Sequence, residues 1–250
     1  MKAAIIIFST ITTVHAQLAI SPYVGLNSTR MNDTYGYING GNYFLAGADV
    51  EYEVTSKDSD RKLRIAIGSG VSYLRNGFYS SNAFSLSFIN SYRQTITDLS
   101  MVYWQAPLLV RFNWQPFTLI EDWKVFAGGG AVFNFLQKAQ MREEYTEVFY
   151  SADALAPPPS HIHFSDDQNV TPYAVRQSVF TRFELGMKYK KMHLSYRVSV
   201  SKADLYFSGI EDHWQVPAEY SDYIQRYAAS GKIKEKHAEI IIGYRLGKLR

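Results

Sequence analysis

Two arms of strictly alternating residues, joined by a short polar turn, constrain this chain more than any other feature in it. The first arm puts Phe44, Ala46, Ala48, Val50, Tyr52 and Val54 on one face, with Leu45, Gly47, Asp49, Glu51 and Glu53 between them. The second puts Leu63, Ile65, Ile67, Val71 and Tyr73 on one side and Arg64, Ala66, Gly68, Gly70 and Ser72 on the other. Ser69 is the one polar break in the apolar row. Successive strand side chains point to opposite faces, so each arm has an apolar face and a charged or small one. A soluble sandwich shows that alternation too. The arm length, about 11 residues, is instead that of a tilted strand crossing a bilayer.

Centring the turn on Asp58 and Ser59 predicts a register with Glu53 opposite Arg64 and Val54 opposite Leu63. A slip by one residue would exchange the faces, so the two apolar rows hold the pairing in phase.

The N-terminus reads as a secretory signal over residues 1–16. Lys2 gives the positive start, Ala3 to Ile11 the apolar run, and Val14-His15-Ala16 the small-residue cleavage pattern, so the mature chain begins at Gln17. The domain expected is a single barrel over residues 17–250. No later apolar run approaches the roughly 20 residues of a spanning helix, so any bilayer is crossed by strands. The absence of cysteine excludes a disulfide scaffold, a thiolate metal site and a cysteine nucleophile. A net charge of +3 over 250 residues does not argue for nucleic acid. Aromatic content of 15%, led by 19 Tyr, suits interfaces with one apolar and one wet side.

The remaining strands follow the same rule. A first, less regular one spans Leu18 to Asn27, where Pro22 removes a ladder donor. A fourth spans Leu99 to Trp114, with Val102, Trp104, Ala106, Leu108, Val110 and Phe112 opposed to Tyr103, Gln105, Arg111 and Asn113. The fifth, Trp123 to Gln137, contains Gly128-Gly129-Gly130. No Lys-Ser/Thr follows those glycines, so they read as curvature and as room for a bulky neighbour rather than a phosphate loop. Ser178 to Lys190, His193 to Ala203 and a last strand carrying Ala238 to Leu246 complete eight. Long connections at 28–41, 76–97, 138–176 and 204–232 alternate with short turns at 55–62, 115–122 and 190–191. The 76–97 stretch still alternates at Phe84, Leu86 and Phe88, which allows a strand to continue past the membrane. The fold class predicted is all-β. It is an eight-stranded antiparallel up-and-down transmembrane β-barrel with long extracellular loops and short periplasmic turns.

A soluble lipocalin-type barrel also has eight strands but turns its apolar faces inward. Charge decides between them. The polar faces collect Asp49, Glu51, Glu53, Arg64, Arg111, Lys124, Arg182, Glu184, Lys188, Arg197, Glu239 and Arg245, and the apolar faces collect none. Facing inward, these seven basic and five acidic groups would interlock as a lumen ion-pair network, since so narrow a barrel is filled by side chains. A narrow selective pore is the alternative use of the same lumen.

Three further chemistries compete for the loops. His161, His163, Asp166 and Asp167 have zinc-ligand character, yet they stand beside a proline run with no second-shell support, so no metal and no cofactor is expected. Glu211, Asp212 and His213 with Asp166 and Asp167 could form an acid–base set at the barrel rim, which leaves a hydrolase as an alternative to the non-enzymatic reading. Aromatic residues give the third. Tyr145, Phe149, Tyr150, Tyr206, Phe207, Trp214, Tyr220, Tyr223 and Tyr227 are candidates for partner binding, or for folding the loops into a cap. The partners expected are outer-membrane lipid and other outer-membrane proteins in a hetero-complex, with no nucleic acid.

Several strands together resemble a known family. Tyr103-Trp104-Gln105-Ala106-Pro107-Leu108-Leu109-Val110-Arg111-Phe112 is similar to the Tyr-Leu-Glu-Ile-Pro-Leu-Leu-Leu-Lys-Tyr strand of the PorT-like outer-membrane barrels of Bacteroidota. Val125-Phe126-Ala127-Gly128 resembles that family's next strand, and Leu194 to Val200 and Ile242-Gly243-Tyr244-Arg245-Leu246 resemble its last two. Gln105 and Ala106 stand where the family has Glu and Ile. The resemblance implies a barrel in the outer membrane of a Gram-negative bacterium, with periplasmic termini and extracellular long loops. It carries no secretion role with it.

Overall fold

The computed structural model describes residues 17–33, 36–38, 40–54, 63–86, 91–116, 122–149, 160–173, 176–201, 234–246 and 248–249. Residues 1–16, expected to be a signal segment, lie outside them. The strands are β1 (Gln17–Asp33), β2 (Gly36–Ile38), β3 (Asn42–Glu53), β4 (Leu63–Leu86), β5 (Ser91–Trp114) and β6 (Trp123–Phe149). After them come β7 (Ser160–Asn169), β8 (Gln177–Tyr189), β9 (Met192–Ser201), β10 (Lys234–Tyr244) and β11 (Lys248–Leu249). Among the described residues no helix is long and apolar enough to cross a membrane.

Eight of the strands close into a ring. Antiparallel pairing runs β1-β3-β4-β5-β6-β8-β9-β10, and β10 returns to β1 from Tyr23 opposite Gly243 to Asn32 opposite Lys234. Closure leaves the ring without a free edge, the condition for strands in lipid. The chain is thus an eight-stranded, up-and-down transmembrane β-barrel.

Its outside is apolar. Val24, Phe44, Ile67, Leu108, Phe183, Leu185 and Ile240 all point outward and are exposed. From Phe44 to Tyr52, Leu63 to Tyr73, Val102 to Trp114, Trp123 to Phe135 and Val179 to Tyr189, the outward positions carry no charge. Trp114, Trp123, Tyr189 and Tyr244 gather toward the short-turn end, with Trp123 and Tyr189 in ring contact at 5.3 Å. Tyr73 and Trp104 meet edge-on at 5.5 Å nearer the other end. Two such girdles are what a bilayer's interfaces select. Ser69, the polar break, donates to the Pro107 carbonyl at 3.0 Å. An outward hydroxyl therefore reaches lipid with its hydrogen bond already made, beside a proline that gives the ladder no N–H.

Two expectations are corrected here. Glu53 pairs with Ala66, not Arg64, a slip of two residues from the predicted register. Two is one full strand period, so both faces survive the slip, and Arg64 still reaches Glu53 diagonally at 2.9 Å. The loops expected at 76–97 and 138–176 are largely strand. β4 runs on to Leu86, β5 starts at Ser91, β6 continues to Phe149, and β7 pairs back along β6 from Ser160 opposite Phe149 to Asn169 opposite Gln140. The result is a four-stranded sheet, β4-β5-β6-β7, projecting past the ring at the long-connection end. A one-residue irregularity makes the transition: Val102 pairs with Lys138 and Tyr103 with Leu136, leaving Gln137 as a bulge. Before it the even residues of β6 face inward; after it Ala139, Met141, Glu143, Tyr145 and Glu147 do.

Candidate functional site

The lumen is where this sequence concentrates its charge. At its centre Arg111, on β5, spans between Gly68 of β4 and Gly128 of β6. A Cβ at Gly68 would come within 3.1 Å of the guanidinium, and one at Gly128 within 2.8 Å of Glu184 Oε1 and 3.1 Å of Arg111 Cγ. These glycines vacate the slot the arginine fills. Its Nη2 donates to Asp49 at 2.8 Å, its Nε to Glu184, and Nη1 lies 3.4 Å from Glu51. Arg197, only 1% exposed, pairs with the same Asp49 and Glu184 and stacks over the Tyr23 ring at 4.8 Å.

Neighbouring layers continue the pattern. Lys188 donates to Glu51 at 2.7 Å and to Asn113 at 2.8 Å. Arg182, fully buried, donates to Glu239, to Gln105 at 3.1 Å and to Ser199 at 2.8 Å. Arg64 and Glu53 close the series near the short turns. Buried charges persist only when paired and hydrogen-bonded, and here most acids serve two cations at once. Lys124 and Arg245 differ: neither makes an ion pair among the described residues.

Toward the long-connection end the lumen changes chemistry. Tyr23, Leu45, Leu74 and Ile241 pack as an apolar cluster. Beyond it Asn76 donates to Glu235 at 2.7 Å, Asn27 donates to Asn76 at 2.7 Å, and Glu235 lies 2.8 Å from His237 Nε2. This second polar layer was not among the residues expected from the sequence. Asn27 and Asn76 fell at assumed strand ends, and Glu235 and His237 precede the alternation that marked the last strand. Their inward parity with Glu239 was the available signal.

The predicted loop residues separate. Tyr145 is not on a loop: it sits on β6, 3% exposed, and its hydroxyl donates to Glu147 at 2.7 Å. Phe149 ends the same strand, half-buried. Tyr150, Tyr206, Phe207, Trp214, Tyr220, Tyr223 and Tyr227 lie outside the described residues, as do Glu211, Asp212 and His213 of the proposed acid–base set. His161, His163 and Asp167 share the exposed face of β7, whereas Asp166 turns to the buried face opposite Glu143. Strand alternation therefore splits the two carboxylates, and His163 Nδ1 lies 3.0 Å from Thr146 Oγ1. Among the described residues no group of three or more His, Asp or Glu could hold a metal.

The projecting sheet has its own ionic contact. Arg93 on β5 pairs with Glu147 at 2.5 Å. Burial works to raise the Glu147 carboxyl, but hydrogen bonds from Tyr145 and Arg93 outweigh it, so the group titrates below its ordinary range.

No protein-family model matches this sequence, and no curated protein matches it. Among solved structures, the chain aligns with Ail, the attachment invasion locus protein of Yersinia pestis, at 10% identity, covering 92% of this chain and 99% of that one, with a TM-score of 0.32. Neisserial surface protein A aligns at 10% identity over 90% of this chain and 96% of that one, with a TM-score of 0.34. CarO of Acinetobacter baumannii aligns at 12% identity over 88% and 96%, with a TM-score of 0.27. At these scores the likenesses add nothing to what strand pairing and side-chain orientation already establish.

Proposed function

We propose that this chain is an outer-membrane barrel of a Gram-negative bacterium, non-enzymatic, that works as a binding protein or accessory subunit through its long-connection end. One observation carries the reading. The lumen is crossed by interlocked ion pairs around Arg111, Arg182 and Arg197, while a four-stranded sheet stands clear of the ring at the long-connection end. A barrel filled in this way offers solutes no path, so its working surface is the part that projects. The long-connection end faces outward and the termini face the periplasm, by the general asymmetry of such barrels. Membership of the PorT-like family belongs to this proposal. It is supported by strand motifs that recur in the family's order.

Three measurements test it. In planar bilayers the refolded mature chain is expected to give no unitary conductance; stepwise channels would establish the pore reading instead. A variant with residues 141–168 replaced by a short turn should still refold as a barrel, yet lose whatever outer-membrane protein co-elutes with the intact chain in mild detergent. Retention of that partner by the shortened barrel would move the binding surface elsewhere, and a mature chain that stays monodisperse in plain buffer would remove the membrane assignment altogether.

A further inference from the structure

The short-turn mouth of the barrel opens into a vestibule whose charge does not balance. Six cationic side chains line it against three acidic ones, Asp49, Glu51 and Asp122. Two of those acids are already committed, since Asp49 holds Arg111 and Arg197, and Glu51 holds Lys188. Lys124 and Arg245 face the same space with no ion pair among the described residues, and Arg245 Nε is buried without a hydrogen-bond partner. His193, 9% exposed, also lines the vestibule, and its Nε2 has no partner either. Lys190 and Lys191 stand at the lip, with their amines over the Tyr189 and Tyr244 rings at 5.4 and 5.9 Å. The mouth thus holds a guanidinium Nε and an imidazole Nε2 without hydrogen-bond partners and a Lys124 ammonium without an ion pair, the groups that recognise oxyanions.

We propose that this vestibule is a binding site for a small phosphate-class oxyanion, held by Arg245 and Lys124 with His193 as an additional donor. At the centre of the lumen the protein resolves its buried charges by pairing them. An anion entering from the short-turn side completes that pairing for the two cations left over. The guanidinium offers a fork matched to two phosphate oxygens, and the lysine offers a point charge beside it. The site lies at the opposite end from the projecting sheet, so it stands or falls independently of the binding role proposed above.

The test uses the full mature chain refolded in lipid-free detergent micelles and titrated with inorganic phosphate by calorimetry. A second arm titrates phosphate against the chain in nanodiscs of phosphatidylcholine with or without phosphatidylglycerol. Saturable binding in micelles is expected. Lys124→Gln and Arg245→Gln should each weaken it about tenfold or more. Lys236→Gln, on an exposed position at the far end of β10, should leave it unchanged. Loss of phosphate binding only when phosphatidylglycerol is present would identify a lipid headgroup as a source of the same chemistry. Absence of binding in both arms, or full-strength binding by the folded Lys124→Gln/Arg245→Gln double variant, would overturn the proposal. Retained heat-modifiable gel mobility separates lost binding from failed folding.

Discussion

A glycine next to an arginine sets how well the centre of this barrel can pack. Arg111 can reach Asp49, Glu51 and Glu184 because Gly68 and Gly128 on the flanking strands leave the inward side empty. The two glycines are not equivalent. A Cβ at Gly128 would sit 2.9 Å from the Val110 carbonyl oxygen, a backbone atom that cannot step aside. At Gly68 the nearest atoms belong to the Arg111 guanidinium at 3.1–3.2 Å, the far end of a flexible side chain. Gly128→Ala is therefore expected to lower stability by about 1–3 kcal/mol, and Gly68→Ala by less. Urea midpoints of the two variants in micelles check the order, and a Gly68 variant that proved the weaker of the two would contradict it. Ser69 is tolerated for a different reason: its hydroxyl costs little on the lipid face because the Pro107 carbonyl accepts its hydrogen bond.

Strand faces were readable from the sequence because a period of two is stamped on every residue: alternation alone puts Asp49, Arg111, Arg182 and Arg197 on the polar faces, and the absence of charge from the apolar faces turns those polar faces inward. Register was not, since slipping by two keeps every residue on its face; the turn between Glu53 and Leu63 alone separates the predicted pairing from the observed one. Nor could alternation reveal the projecting sheet. Outside lipid a strand no longer needs an uncharged face, and the Gln137 bulge reverses the parity just where β6 leaves the ring. Met141, Glu143, Tyr145 and Glu147 consequently looked like loop. This sheet is expected to be sensitive to acid at one identifiable contact. Glu147 titrates below its ordinary range when folded, so its contribution is fully present above the unfolded carboxylate pKa of about 4.3 and fades as pH falls through the lower folded value. Hydrogen exchange at residues 91–97 and 142–149, compared at neutral pH and near pH 3, should show protection lost in acid. Glu147→Gln should flatten that difference, and an unchanged acid response in the variant would assign the effect to other carboxylates.

The molecule as a whole turns a soluble protein's arrangement inside out, with a lipid-compatible surface around a lumen whose centre is held by ion pairs. Such a core is only as secure as its pairing. Arg182 and Glu239 are both buried, at 0% and 1% exposure. Removing either one alone strands the other's charge, whereas removing both takes the desolvation penalty away with the attraction. Arg182→Met should therefore cost about 3–5 kcal/mol, and adding Glu239→Leu should recover most of that loss. Gln105 tolerates the change because the Ser72 hydroxyl still donates to its Oε1 at 3.2 Å. Equilibrium unfolding followed by tryptophan fluorescence reads both variants. Non-additivity is the decisive quantity: a double variant as unstable as the sum of its parts would mean that the lumen is held by packing and the uncharged hydrogen bonds, with the ion pairs incidental to it.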